Sequence, residues 1–447
     1  MKRAMVALLL LGVLAGSAQG QTTVLSETTW GGFGNELPTG VASAVDGSSY
    51  VVGTTDSFTT DQFGGSRPAI FLVKFTTTGS VAWQRVWTGQ TFTGSFHGPA
   101  VAVNAGTLPD ASDDSIYVTG VTTAINNNDA AILKFNASGT LLWQRTWGGP
   151  DRDEPNAVAT AADGSVYIAG QTFSFGASGA GLFIVKFDAA GSLVWQKVRD
   201  VSGGVAAIAV AADGSVYAAD SASRGGSFGN FDLIALKITA AGGLVWQRAY
   251  TAGDNADPRG GVTVASDGSI YIAGVLMAPR MGAVPNSALI VRLSAAGALL
   301  FDGQWAGKAG GEEAAGIAAA ADGSVYVAGT TTSSGAGFDD AFVVHLLPNG
   351  KVAGAATWGS TVSDQGAGVA VAADGTLRLA AVAQDPPYSL LPAAKRISNV
   401  KGTLAVANEA FGDAGGVAAD ASEGVITPAG STMFAGSFDA ALVKLAP

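Results

Sequence analysis

Between residues 155 and 200 the polar and apolar positions fall into four short bursts. Asn156 to Ala162 is a run of small residues, and Asp163-Gly164 turns it into Ser165 to Thr172. Phe183, Val185 and Phe187 then alternate with Ile184 and Lys186, and the turn Asp188-Ala189-Ala190-Gly191 leads into Leu193 to Lys197. A period of two marks a β-strand, because successive side chains leave a strand on opposite faces. Asp-Gly readily takes the positive φ that a hairpin needs. The unit therefore reads as four antiparallel strands, with the small-residue strand set where space is tightest.

The same unit returns along the chain. Its turn phrase is clearest as Asp163 to Gly170, Asp267 to Gly274 and Asp322 to Gly329. Counting degenerate copies, it starts at Asp46, Asp113, Asp163, Asp213, Asp267, Asp322, Asp374 and Glu423, in steps of 67, 50, 50, 54, 55, 52 and 49 residues. Strand-and-turn repeats of this length predict a β-propeller with one unit per blade. The fourth strand carries a second signature, Trp83-Gln84-Arg85-Val86-Trp87 and Trp143-Gln144-Arg145-Thr146-Trp147, with Trp195-Gln196-Lys197 and Trp246-Gln247-Arg248 as partial forms. Alternation puts both tryptophans on one face with arginine between them, which suits a sugar-stacking ladder or packing between blades. A feature renewed in every unit fits packing better.

The ends complete one another. Ala441 to Leu445 reads as a third strand with no fourth after it, while Val24 to Gly32 matches the end of a fourth strand such as Arg145 to Gly149. The expected fold is thus an all-β propeller of four-stranded blades, eight in number with seven as the alternative. An N-terminal strand completes the C-terminal blade and removes the open seam. The seventh unit is expected to be least regular, because Arg378 replaces its tyrosine and Pro386, Pro387 and Pro392 interrupt its third-strand region.

Composition narrows the surroundings. Lys2 and Arg3, the apolar run Ala4 to Ala15 and the small residues before Gln21 read as a signal peptide over 1–20, leaving 21–447 as one propeller domain that is secreted or periplasmic. Cysteine is absent and the net charge is -11, which excludes disulfide staples and argues against nucleic acid as a partner. No later stretch is long and apolar enough for a membrane span. A monomer is expected. The Asp163 to Gly170 phrase, Val185-Lys186-Phe187 and the Trp143 to Gly149 close together resemble the bacterial β-propeller repeat family often called SBBP. That resemblance covers essentially the mature chain and implies an exported or cell-surface repeat protein. The family name denotes seven blades, and the family brings no catalytic residues to carry over.

The longer connections gather on one face, where loops commonly carry function. Just ahead of the innermost strands stand Glu36, Asp153 with Glu154, Asp257, Glu312 with Glu313, Asp364 and Asp413. They are candidate ligand-binding residues around the channel mouth. Calcium is conceivable there because hard cations take carboxylate oxygens, although acidic loops also serve solubility. A second set, Asp129, Asp232, Asp340 and Asp439, stands five residues before the third-strand basic or histidine slot and reads as turn capping. The two histidines are His97 and His345, and His345 occupies a slot filled elsewhere by lysine. No thiol, phosphate-loop or His-Glu-x-x-His chemistry is available. Three readings stay open: a binding scaffold for a glycan, peptide or exported protein, a carboxylate-dependent hydrolase or lyase acting on an extracellular polymer, and a purely structural envelope protein.

Overall fold

The computed structural model describes residues 10–13, 22–32, 34–58, 68–88, 98–122, 128–176, 180–200, 206–223, 231–252, 255–277, 286–306 and 311–383, and seven strands between 389 and 445. Six blades are meanders of four consecutive antiparallel strands, at residues 36–87, 101–148, 153–200, 206–251, 255–305 and 312–359, numbered 1 to 6 below. The innermost strands, such as Glu36–Ser43, Asp153–Thr160 and Glu312–Ala319, touch one another around the ring.

The turn phrase folds as its chemistry requires. In blade 3 the Asp163 carboxylate accepts the Ser165 amide at 2.8 Å, Gly164 alone takes positive φ (+81°), and Ala161 and Ser165 close the hairpin at 2.9 Å. The loop is therefore the three-residue kind, a turn followed by one left-handed residue. The same aspartate-to-amide bond recurs at Asp46, Asp213, Asp267, Asp322 and Asp374.

The fourth-strand signature joins blades. Trp143 donates through Nε1 to the Ala189 carbonyl of the next blade at 3.2 Å, Lys134 donates to the same carbonyl at 2.9 Å, and Arg145 donates to Gly191 at 2.9 Å while lying 5.5 Å from the Trp143 ring. Trp83 with Lys74 and Arg85, and Trp195 with Lys186, make the corresponding contacts to Ala137, Gly139 and Ala240. The second tryptophan of the strand is buried in the neighbouring blade: Trp147 lies 4.4 Å from Phe183 and Trp305 4.4 Å from Phe342, centroid to centroid. These tryptophans are packing residues, each pair adding about 0.5–1.5 kcal/mol beyond area burial.

One interface departs from the rule. Between blades 3 and 4, Arg199 stands in the second-tryptophan slot and Asp220 in the slot that is glycine at Gly170, Gly274 and Gly329. The two side chains form a buried ion pair at 3.4 Å. At Gly170 a side chain is excluded, since a Cβ there would lie 2.0 Å from the Glu154 carbonyl oxygen. The first strand of blade 4, Ala206–Val210, pairs in unbroken register without the bulge found in blade 3.

The repeat count does not become the blade count. Neither the eight blades expected nor the alternative seven is formed: the structure has six complete four-stranded blades. Besides the six complete blades there is one composite sheet, which takes Gln365–Val371 and Leu377–Ala383 from the seventh unit, Asp439–Leu445 as its third strand and Thr22–Trp30 as its fourth. Glu423 itself lies outside the described residues, and the strands described on either side of it do not pair with each other: Val417–Asp420 pairs with blade 2 and Ile426–Thr427 with blade 1. Asp439-Ala-Ala-Leu-Val-Lys-Leu copies the blade 2 strand Asp129-Ala-Ala-Ile-Leu-Lys-Phe, so it is better matched to the place beside Leu377–Ala383 than the proline-bearing residues after 383.

Those residues become a belt. Ser389–Pro392, Ile397–Ser398, Thr403–Val406, Phe411–Asp413, Val417–Asp420 and Ile426–Thr427 add an outermost strand to blades 6, 5, 4, 3, 2 and 1 in turn. Pro392 sits on such an edge, opposite Ala356, where its missing N–H breaks no inner ladder. At the seam, Arg378 is buried and donates to Ser49 Oγ at 2.8 Å and to the Gly47 carbonyl at 2.6 Å. Tyr117 makes the analogous bond to Gly164 at 3.2 Å, so arginine in the tyrosine slot keeps the contact to the next turn. Leu10–Val13, within the expected leader, pairs with Thr22–Val24.

Candidate functional site at the mouth of the ring

Each innermost strand starts on the face where one blade leads into the next. The carboxylates expected there separate into two sets, because adjacent strand positions point to opposite sides. Glu36, Asp153, Glu312 and Asp364 form the first set, and all four are fully buried at 0% exposure. Each closes the loop around it. Glu36 accepts from the Gly32 amide at 3.0 Å and Thr55 Oγ1 at 2.7 Å, and Asp153 from the Gly149 amide at 2.8 Å, Ser174 Oγ at 2.7 Å and Thr172 Oγ1. Glu312 accepts from Thr331 and Ser333, and Asp364 from the Ser360 amide at 2.6 Å. Burial raises the Asp153 pKa above the usual carboxylate range against the pull of these donors. The Trp-Gly-Gly close is thus tied to the next blade by a carboxylate latch.

Glu154, Asp257 and Glu313 form the second set, and arginine attends them. Arg152 Nε lies 3.3 Å from Glu154, and Arg259 Nη2 lies 2.6 Å from Asp257. Arg259 Nη1 also reaches 3.6 Å from Glu313 in the next blade, and Asn286 Nδ2 donates to Glu313 at 2.8 Å. The Arg259 and Glu313 side chains are 36% and 45% exposed, so this bridge across blades 5 and 6 is open to solvent. Burial works against charge on Arg259, but Asp257 and Glu313 outweigh it and hold its pKa above the ordinary value. Burial likewise raises Glu154, opposed by Arg152.

Asp413 does not join either set. It lies in an outer belt strand opposite Lys197, because its unit supplies edge strands instead of a blade. Of the capping set, Asp340 is buried, accepts from the Gly337 amide at 3.0 Å, and is raised to about 6 by burial and by nearby Asp364. His345 stacks on Tyr326 at 4.2 Å and is held below its ordinary pKa by burial, while His97 lies outside the described residues. Among the described residues no group of three or more His, Cys, Asp or Glu is placed to hold a metal ion.

The acids stand out in the sequence, whereas their arginine partners do not. Arg152 precedes Glu154 by two residues and Arg259 follows Asp257 by two, so the signal was a basic residue on the same side of the strand or turn. Chemically, the first set is engaged in holding backbone and the second presents a cation between two carboxylates, an arrangement suited to hydrogen-bonding a polar ligand.

Residues 111–141 and 320–352 match the family described as "Domain of unknown function (DUF5122) beta-propeller". No curated protein matches the sequence. Among solved structures, a protein of unknown function from Bacteroides caccae is similar at 13% identity and TM-score 0.36, over 59% of this chain and 81% of that one. The β-propeller domain of the Trilobed protease from Pyrococcus furiosus is similar at 11% identity and TM-score 0.42, over 82% and 96% of the two chains. The α-L-arabinofuranosidase Arb93A from Fusarium graminearum follows at 10% identity and TM-score 0.40, over 89% and 98%. These are likenesses of fold.

Proposed function

We propose that this β-propeller is an exported, non-catalytic scaffold that binds a glycan or peptide at the mouth of its ring. The observation that carries the reading is the Asp257–Arg259–Glu313–Asn286 cluster, open to solvent at Arg259 and Glu313, which joins two blades on the long-loop face. Export rests on the leader-like residues 1–20, and no helix among the described residues is long and apolar enough to cross a membrane. A carboxylate hydrolase would need two carboxylates about 5–10 Å apart and open to substrate. Asp340 and Asp364, which influence one another, are both buried, and this favours binding over turnover.

The test is a glycan and peptide array probed with the full chain, then titration of any hit against Arg259→Ala and Glu313→Gln. Saturable binding weakened at least tenfold by either substitution, with the unfolding midpoint held within a few degrees, is the expected result. Binding untouched by both would remove this cluster from the function, and product release from any polymer on the array would replace the scaffold reading with the hydrolase.

A further inference from the structure

In blades 1 to 6 the last residues of the fourth strand are covered on their outer side by the belt. Trp87 faces Ile426, Trp147 faces Ala418, Arg199 faces Phe411, Tyr250 faces Leu404, Trp305 faces Ile397 and Trp358 faces Leu390. The corresponding stretch of the composite sheet is Thr28–Gly31, with Trp30 in the aromatic slot. Its inner side pairs with Asp439–Leu445. On its outer side no described strand is paired, since Leu10–Val13 reaches only Thr22–Val24. The belt runs backwards around six blades and then, instead of covering the seventh sheet, passes inside it as the third strand.

We propose that the outer edge at Thr28–Gly31, which no described strand covers, is a docking slot for an extended peptide segment of a partner protein, three or four residues long, with a bulky aliphatic residue opposite Trp30. A free strand edge presents unpaired N–H and C=O groups, and peptides bind such edges by completing the ladder while side-chain positions give specificity. The chemistry of the occupant is set by the six filled slots, four of which place leucine or isoleucine opposite the aromatic position. The remaining two hold phenylalanine and alanine, so no charged residue stands there.

The probe is a synthetic octapeptide of residues 401–408, Lys-Gly-Thr-Leu-Ala-Val-Ala-Asn, which contains the blade 4 belt strand. Hydrogen exchange of the full chain should show the outward-pointing amides within Thr28–Gly31 slowed at least tenfold by saturating peptide, and not by the same peptide carrying Leu404→Asp. Because the chain has no cysteine, register can be read by disulfide trapping. Thr29→Cys corresponds to Ala249, which pairs with Ala405, so it should trap a peptide carrying Ala405→Cys, whereas Ala249→Cys, already covered, should not. The proposal is overturned if millimolar peptide leaves the outward-pointing amides of 28–31 unprotected, if those amides are already as slow as the outward-pointing ones of 144–148 in the free chain because another segment or a second copy fills the slot, or if both cysteine variants trap the peptide equally. The exchange experiment uses the unsubstituted chain and decides the matter even if Thr29→Cys fails to fold.

Discussion

Asp153→Ala should destabilise the ring by about 2–4 kcal/mol, whereas Asp153→Asn should cost about 1 kcal/mol or less. The alanine removes an acceptor that serves the Gly149 amide, Ser174 Oγ and Thr172 Oγ1 in a site with no exposed surface. The two hydroxyls can turn to other acceptors, but the amide cannot, and an unsatisfied buried donor costs about 1–3 kcal/mol. Loss of the bonds themselves adds the rest. Asparagine retains an acceptor oxygen for Gly149 and discards a charge that burial already disfavours, as the raised pKa of Asp153 records. Urea unfolding followed by tryptophan fluorescence measures both variants, with Asp151→Ala as an exposed control in the same loop. If the alanine variant unfolds within about 0.5 kcal/mol of the parent, the latch explanation is wrong. The buried acids would then have to be retained for a ligand.

Asp220→Gly leaves Arg199 buried without its carboxylate and should cost about 3–5 kcal/mol, while the double change Arg199→Trp with Asp220→Gly restores the repeat and should recover most of that loss in a denaturant cycle. Thermal stability should peak near about pH 4 to 4.5 and fall as pH rises towards 7. Asp220, raised to about 7, and Asp340, raised to about 6, favour the fold below their unfolded pKa values and withdraw that contribution as pH rises through 6 and 7. Asp163, Asp188, Asp213, Asp267 and Asp322 are held low by their turn hydrogen bonds, so their contribution is present above about pH 4 and lost as pH falls through their folded values. A midpoint that climbs steadily to pH 8 in a scanning experiment would contradict this. Deleting residues 22–30 should lower the midpoint far more than deleting 1–9, because it strips the fourth strand from Asp439–Leu445 and unseats Trp30 from Phe71, 4.8 Å away; equal effects would refute closure by that strand.

The parts of this fold legible in the sequence are those decided locally. Asp163-Gly164 makes its turn from its own side chain and its own φ, and the period of two in Phe183 to Phe187 follows from one strand alone. The acids could be found for the same reason, as single residues at a fixed distance from a turn. Their division into latch and open cluster could not, because it depends on a one-residue offset, Asp153 against Glu154 and Glu312 against Glu313, and on which arginine reaches across from a neighbour.

Partner choice is the step that local pattern leaves open, and it accounts for the blade count. The strand Asp439–Leu445 has the same residues whether it closes an eighth unit or completes the seventh; what decides is the competing segment. Residues 384–438 contain four prolines and no tryptophan, so they cannot supply a well-bonded inner strand or a Trp clasp. Given a good third strand further along the chain, the ring closes on it and the intervening residues are pushed outward, where an edge position tolerates Pro392 and demands only short segments. The Arg199–Asp220 exchange obeys the same logic on a smaller scale. Each residue alone breaks its repeat slot, and only the contact between slots 21 positions apart makes the two departures one substitution.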